Sequence, residues 1–365
     1  LITWFSTDDI YYPPKVSIEQ TSSEITAKYK SKIVAGNSII DITGGFGVDC
    51  FYFSKQFKQV THCEINEELS TIVKHNYQQL KVDNIKKYFG GFCAVNYLSF
   101  YSSGLKEVFI TGGIPPLSAH PDDIYKRTYS RVKRKNEAFF KAFPQAQERA
   151  GKIANIIRDT KPTLLSGETL TIERFQLLGL QLGFSDGYAN LNYLFENAIS
   201  DNELSYSFKK SLMGFQAYDT NPFFTVLHEA CYAQQFSTQW SAEKIRGEFP
   251  EFDSNSRDPF LFTGEMLYPW MMDQFSTLSP LKEAANILAE KTDWPMLYDQ
   301  KQLEKNSIPV AAAVYTNDMY VDRHYSLETG QSINGIKIWE TDDYEHNGLR
   351  SHGEKILLNL FELLD

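Results

Sequence analysis

Strand-like runs in this sequence fall on either side of one long helical block. Residues 120–305 read as mostly helical, with aromatics throughout. Short apolar runs of buried-strand type stand just before that block, at 107–111, and after it, at 309–315 and 336–340. An amphipathic helix is predicted at 355–364. A sheet whose strands are interrupted by so long a helical stretch is an α/β core carrying a large cap.

A second α/β pattern precedes it. Ser22-Ser23-Glu24 opens a helix predicted to run through Lys32. Residues 38–42 form a β-branched strand that ends in Gly44-Gly45-Phe46-Gly47, and a helix follows. A strand at 59–65 and a helix at 66–80 complete a β-Gly-loop-α-β-α unit, the opening of a doubly wound fold. Glycines allow close backbone approach to a ligand, and Glu64 at the end of the second strand could bond a ribose. Alternatively, the loop is only a fold element. The pattern changes near 83–88, and a helix is expected at 92–100.

The 365 residues carry a formal charge of -10, which excludes nucleic acid as a partner of the whole chain by simple repulsion. Hydrophobic residues make up 42%, ordinary for a globular protein, and aromatics reach 14%, enough to build large buried surfaces or pockets. Cys50, Cys63, Cys93 and Cys231 form no C-x-x-C pair, so no zinc site or disulfide framework is indicated, and a reducing, cytoplasmic setting is expected. No apolar run nears the roughly 20 residues that span a bilayer, so no membrane partner is expected. Leu1-Ile2-Thr3-Trp4 has no basic n-region, so no signal peptide is expected.

Two family resemblances follow from the motifs. Tyr11-Tyr12-Pro13-Pro14-Lys15, Glu19-Gln20, Ser22-Ser23-Glu24 and the stretch 41–49 resemble class I S-adenosylmethionine-dependent methyltransferases. That resemblance covers residues 1–85. It implies that Asp41, Gly44, Gly45 and Gly47 line the methionine end of S-adenosylmethionine and that Glu64 holds its ribose. The fourth-strand D/N-P-P motif that would place a methyl acceptor does not follow, and the later strands of that fold are not expected.

From Phe89 on, the chain resembles a proline iminopeptidase of the α/β-hydrolase class. The matching motifs are Gly90-Gly91-Phe92-Cys93-Ala94, Phe109-Ile110-Thr111-Gly112-Gly113-Ile114-Pro115-Pro116, Asp123-Ile124-Tyr125 and Arg174-Phe175-Gln176-Leu177-Leu178-Gly179. They continue with His228-Glu229-Ala230-Cys231-Tyr232-Ala233-Gln234, Phe262-Thr263-Gly264-Glu265-Met266, Asp318-Met319-Tyr320-Val321 and Tyr344-Glu345-His346. The resemblance implies a serine peptidase that needs no cofactor and removes N-terminal proline from small peptides. Asp318 would be the catalytic acid and His346 the base, in the chain order of hydrolase triads. On the residues alone, Asp318 reads first as a turn residue and His346 as a solvated loop histidine. Glu229 and, less surely, Glu265 would grip the charged imino group, Glu229 having an ion pair with Arg246 as its alternative. Tyr232, Phe262, Tyr268 and Trp270 would floor a proline pocket or simply be core.

The position implied for the nucleophile holds Tyr88 in place of serine, and no His-Gly-Gly-Pro-Gly loop is present for the oxyanion. The resemblance therefore implies an inactive chain. The two resemblances meet between residues 85 and 89. That pattern reads as a chimera, whether by gene rearrangement or assembly error, or as a pseudoenzyme. The expected segments are a partial methyltransferase-like Rossmann part at 1–87, a truncated hydrolase core at 88–119 and 306–365, and a helical cap at 120–305. The sequence does not indicate an oligomeric state.

Overall fold

The computed structural model describes residues 1–13, 18, 21–41, 44–63, 67–82, 85–88, 93–256 and 260–364. Two compact units are present, Leu1–Leu98 and Ser99–Asp365.

In the first unit, β1 (Ser38–Asp41), β2 (Gln59–Cys63) and β3 (Ile85–Tyr88) form a parallel sheet in the order β1-β2-β3. Helices α1 (Glu24–Ile33), α2 (Val48–Ser54) and α3 (Glu67–Gln79) accompany it. Ser23 caps α1, its hydroxyl accepting the Thr26 amide at 3.1 Å, as the Ser-Ser-Glu signature predicts. Trp4, Phe46, Phe51, Val60 and Val73 make an aromatic-rich core. The third strand corrects the sequence reading, which assigns no strand after β2. Ile85-Lys86-Lys87-Tyr88 lacks an apolar β-branched run, so its pairing with β2 comes from backbone hydrogen bonding that periodicity does not register.

Helix α4 (Cys93–Phe100) leads into the second unit. There β4 (Val108–Ile110), β5 (Val310–Tyr315) and β6 (Ile336–Thr341) form a second parallel sheet, β4-β5-β6. Every residue of β5 is buried, which explains its unbroken Val-Ala-Ala-Ala-Val-Tyr run. The alanines leave room for the helices that flank the sheet, α8 (Arg323–Ser332) and α9 (Gly348–Glu362). Helix α9 starts seven residues before the predicted 355 (355 − 348), and its backbone leaves the helical region at His352.

Between β4 and β5 lies the helical block, with α5 (Pro121–Ala142), α6 (Pro144–Thr160) and α7 (Ser241–Arg246) as the elements used below. Its core is a continuous aromatic packing. Phe175, Phe195, Phe260 and Phe262 meet at ring-centroid distances of 5.2 to 5.8 Å. Such contacts add specific geometry to the area already buried. A short hairpin, Ile199–Ser200 with Glu203–Leu204, is the one departure from helix and loop described in this block besides an isolated bridge at Thr163 and Thr169. Among the described residues no helix is long and apolar enough to cross a membrane.

Candidate active site

Strand β5 delivers the acid. After Tyr315 the chain turns, the Asp318 amide donating to the Tyr315 carbonyl at 3.2 Å. The Asp318 side chain is buried, 1% exposed, and both of its oxygens are engaged. Oδ1 accepts the amides of Tyr320 (2.8 Å) and Val321 (3.0 Å). Oδ2 lies 2.8 Å from His346 Nδ1. A carboxylate buried among three donors is held in one orientation.

His346 sits in the loop after β6. Burial pushes its imidazole pKa down, and the Asp318 carboxylate, with Glu265 farther off, more than offsets this and raises it above the ordinary value. The Tyr320 ring stands edge-on to the imidazole at 4.8 Å, and Gly112 lies beneath its Cε1. Nε2 has no hydrogen-bond partner among the described residues, so it is available for a proton. No serine or cysteine of the described residues bonds the ring. Tyr88 ends β3, its side chain lying outside the described residues, as do Glu64, Gly90 and Gly91.

The two glutamates differ sharply. Glu229 is buried, 7% exposed, and does not pair with Arg246. Its Oε2 accepts the Ser241 amide at 3.1 Å and its Oε1 the Ala242 amide at 2.9 Å, the first two amides of α7. Arg246 instead donates to Gln176 Oε1 at 2.7 Å and to the Phe252 carbonyl. Burial raises the Glu229 pKa to about 7 against the pull of the Ala242 amide, the Thr238 hydroxyl and the Ser241 amide. Glu265 is half-buried and has no hydrogen bond or ion pair among the described residues. Its charge is felt at Tyr125, Tyr218, His228, Tyr232, Tyr320 and His346. Glu265 thus lies within electrostatic reach of several phenols, of His228 and of the Asp318-bound His346.

Of the four aromatics singled out from the sequence, Phe262 and Tyr268 are fully buried core residues. The Tyr268 phenol lies 2.9 Å from that of Tyr129. Tyr232 and Trp270 are half-buried. Sequence reading missed Tyr320 as a neighbour of the base and Arg131 as the partner of the acid loop. Arg127, Arg131 and Lys135 recur every fourth residue, a signal that ordinarily marks a solvated helix face.

The glycine loop of the first unit is explained by its own neighbours. A Cβ on Gly44 would lie 2.2 Å from the His62 ring, and one on Gly47 would lie 2.3 Å from the Tyr77 hydroxyl. His62 Nδ1 is 2.7 Å from that hydroxyl, which donates to the Gly47 carbonyl at 3.2 Å. Gly47 also needs its left-handed φ of 82° to start α2, and Gly45 has φ 49°. The half-buried Asp41 accepts from the Cys50 thiol at 3.5 Å. Ring packing therefore accounts for Gly44 and Gly47 without a nucleotide, and Glu64, which would hold the ribose, lies outside the described residues.

No protein-family model matches the chain. A proline iminopeptidase of Aeromonas sobria is 46% identical over 275 residues, which is 75% of this chain and 65% of that protein. This chain therefore spans slightly under two thirds of that relative's length. The proline iminopeptidase aneH of Aspergillus aculeatus is 31% identical over 310 residues, covering 82% of this chain and 68% of that protein. A solved structure from Porphyromonas gingivalis W83, provisionally described as a methyltransferase, matches with a TM-score of 0.27 and 25% identity over 32% of this chain and 29% of that one, a likeness too slight to place the fold. Similarity of this extent to two such proteins, one in a bacterium and one in a fungus, means that the chain belongs to the proline iminopeptidase family.

Proposed function

We propose that the second unit is the acid–base and substrate-gripping part of a proline iminopeptidase site, acting on small peptides with an N-terminal proline. The observation that carries this is the conjunction in one unit of a hydrogen-bonded pair, buried Asp318 with partly exposed His346, and Glu265, a carboxylate that no cation neutralises within the described residues. A proline imino group is cationic at neutral pH and needs an anion in a partly apolar setting. Glu265 supplies the charge. Glu229, with both oxygens on the amides of α7, is the secondary contact in this reading. Asp318 fixes the imidazole with Nδ1 toward itself, so that Nε2 is the atom that takes up and returns a proton.

The nucleophile is the missing part of this reading. In sequence, Tyr88 aligns with the serine that the resemblance implies, and a phenol of pKa about 10 on a bulky ring is a poor acyl acceptor. In this reading residues 88–119 and 306–365 are a truncated hydrolase core, 120–305 its helical cap, and 1–87 a Rossmann-like segment of separate origin. S-adenosylmethionine has no step in it.

Two measurements test the proposal. Calorimetry with prolinamide should show binding, weakened by on the order of tenfold or more in Glu265→Gln because the ligand's charge loses its counter-ion. A prolyl amide carrying a chromophoric leaving group should be turned over only at background. No heat with prolinamide would sink the binding reading, and clear turnover would sink the assignment of Tyr88.

A further inference from the structure

Helix α5 opens the cap, and one face of it is cationic. Arg127, Arg131 and Lys135 stand four residues apart, so their side chains rise from the same stripe. All three reach the segments that carry Asp318 and His346. Arg131 is buried, 9% exposed. Its Nη1 donates to the Asp318 carbonyl at 2.6 Å and to the Thr316 carbonyl at 3.3 Å, and its Nη2 to Asp322 Oδ2 at 3.0 Å. Arg127 Nε takes the other oxygen of Asp322 at 3.1 Å. Asp322 in turn caps α8 through the His324 amide at 2.8 Å. Lys135, also buried, lies 2.5 Å from Glu345, the residue before His346.

We propose that Arg131 is a positioning residue: its guanidinium clamps the 316–322 turn so that the Asp318 carboxylate stays aimed at His346, with Lys135 holding the base's loop from the same helix. The inference rests on the peptidase reading of the site and goes beyond it, because neither residue touches the imidazole. A planar guanidinium suits the task, since it can serve three acceptors in fixed directions where an ammonium cannot. Lys135 also offsets the charge of Glu345, which would otherwise stand beside the imidazole as a second anion. The charged or titratable groups around the imidazole are then Asp318, Glu265 and Tyr320, with the Lys135–Glu345 pair behind them.

The test is a titration of the His346 imidazole by NMR on the full chain. Asp318→Asn serves as the reference: it should drop the His346 pKa clearly, and no change there would overturn the dyad itself. Given a drop in Asp318→Asn, Arg131→Met should lower the pKa in the same direction by a smaller amount, on the order of half a unit, because the carboxylate is free to wander. Arg131→Lys should restore only part of it. Arg158→Met removes another guanidinium that donates to two backbone carbonyls, those of Ser254 and Ser256. It should cost stability without moving His346. If Arg131→Met does not fold, Asp322→Asn decides, since it breaks the ion pair and keeps a side chain able to cap α8. A folded Arg131→Met, or failing that Asp322→Asn, with His346 titrating as in the parent chain would overturn the proposal.

Discussion

Glu229 shows what a single buried carboxylate can do to the pH dependence of a fold. Its folded pKa of about 7 stands above the ordinary value of 4.5, so folding favours its protonated form. Its contribution is full below pH 4.5 and is lost as pH rises toward 7, by on the order of 3 kcal/mol. Glu229→Gln should therefore be less stable than the parent at pH 5, having lost one acceptor at the start of α7, yet should lose less stability than the parent between pH 5 and 8, with only the His346 share remaining. Urea midpoints across that range check this; a slope equal to the parent's would mean that Glu229 is ionised throughout. The residue also marks a limit of sequence reading. A buried acid among apolar neighbours is visible, but its partners are two backbone amides, and nothing in the sequence distinguishes those from Arg246. The roles of Asp318 and His346 were legible only through the family resemblance, since their place after strand-like runs fits the hydrolase chain order but fits a turn residue and a loop histidine as well.

At the scale of elements, the helical block is packed around a cluster of aromatic rings. Phe262 sits at its centre with no exposed surface, and Phe262→Ala should cost about 3–5 kcal/mol, read from a denaturation midpoint. In the first unit, Gly44→Ala drives a methyl into the His62 ring and should cost about 1–3 kcal/mol. A neutral result would mean that His62 swings away easily. Elements with β-branched or unbroken apolar runs were legible to within a residue or two, β1 and β5 among them. Strand β3 was not, because Lys86 and Lys87 break the apolar signal while their backbone still pairs. The first turns of α9 were hidden by Gly348 and Gly353, which read as loop and serve instead where the helix meets Tyr315 and bends.

Across the whole molecule, the titrating groups define a window of stability. Burial works against the charge of Glu168, and the Ser276 hydroxyl and amide with Arg174 overcome it, holding its pKa at about 2. That contribution is present above pH 4.5 and is lost as pH falls toward 2. His346, raised above 6.5, contributes below that value and loses its share as pH climbs through its folded pKa, in the same direction as Glu229. Stability should thus peak near pH 4.5 and fall above it, first with Glu229 and then with His346, and melting temperatures that rise steadily through pH 8 would contradict this. The -10 formal charge gives the same chain a long-range attraction for cationic peptides. Prolinamide affinity should then fall several-fold as salt shortens the screening length from about 30 to 3 Å. The cationic stripe on α5 has a consequence for engineers. Since Arg127, Arg131 and Lys135 fasten the loops of Asp318 and His346, the helical block between β4 and β5 is not a detachable cassette. Any foreign segment grafted after β4 would have to bring its own three cations at the same spacing, or the recipient scaffold would inherit a slack Asp318 carboxylate and a misdirected His346 ring.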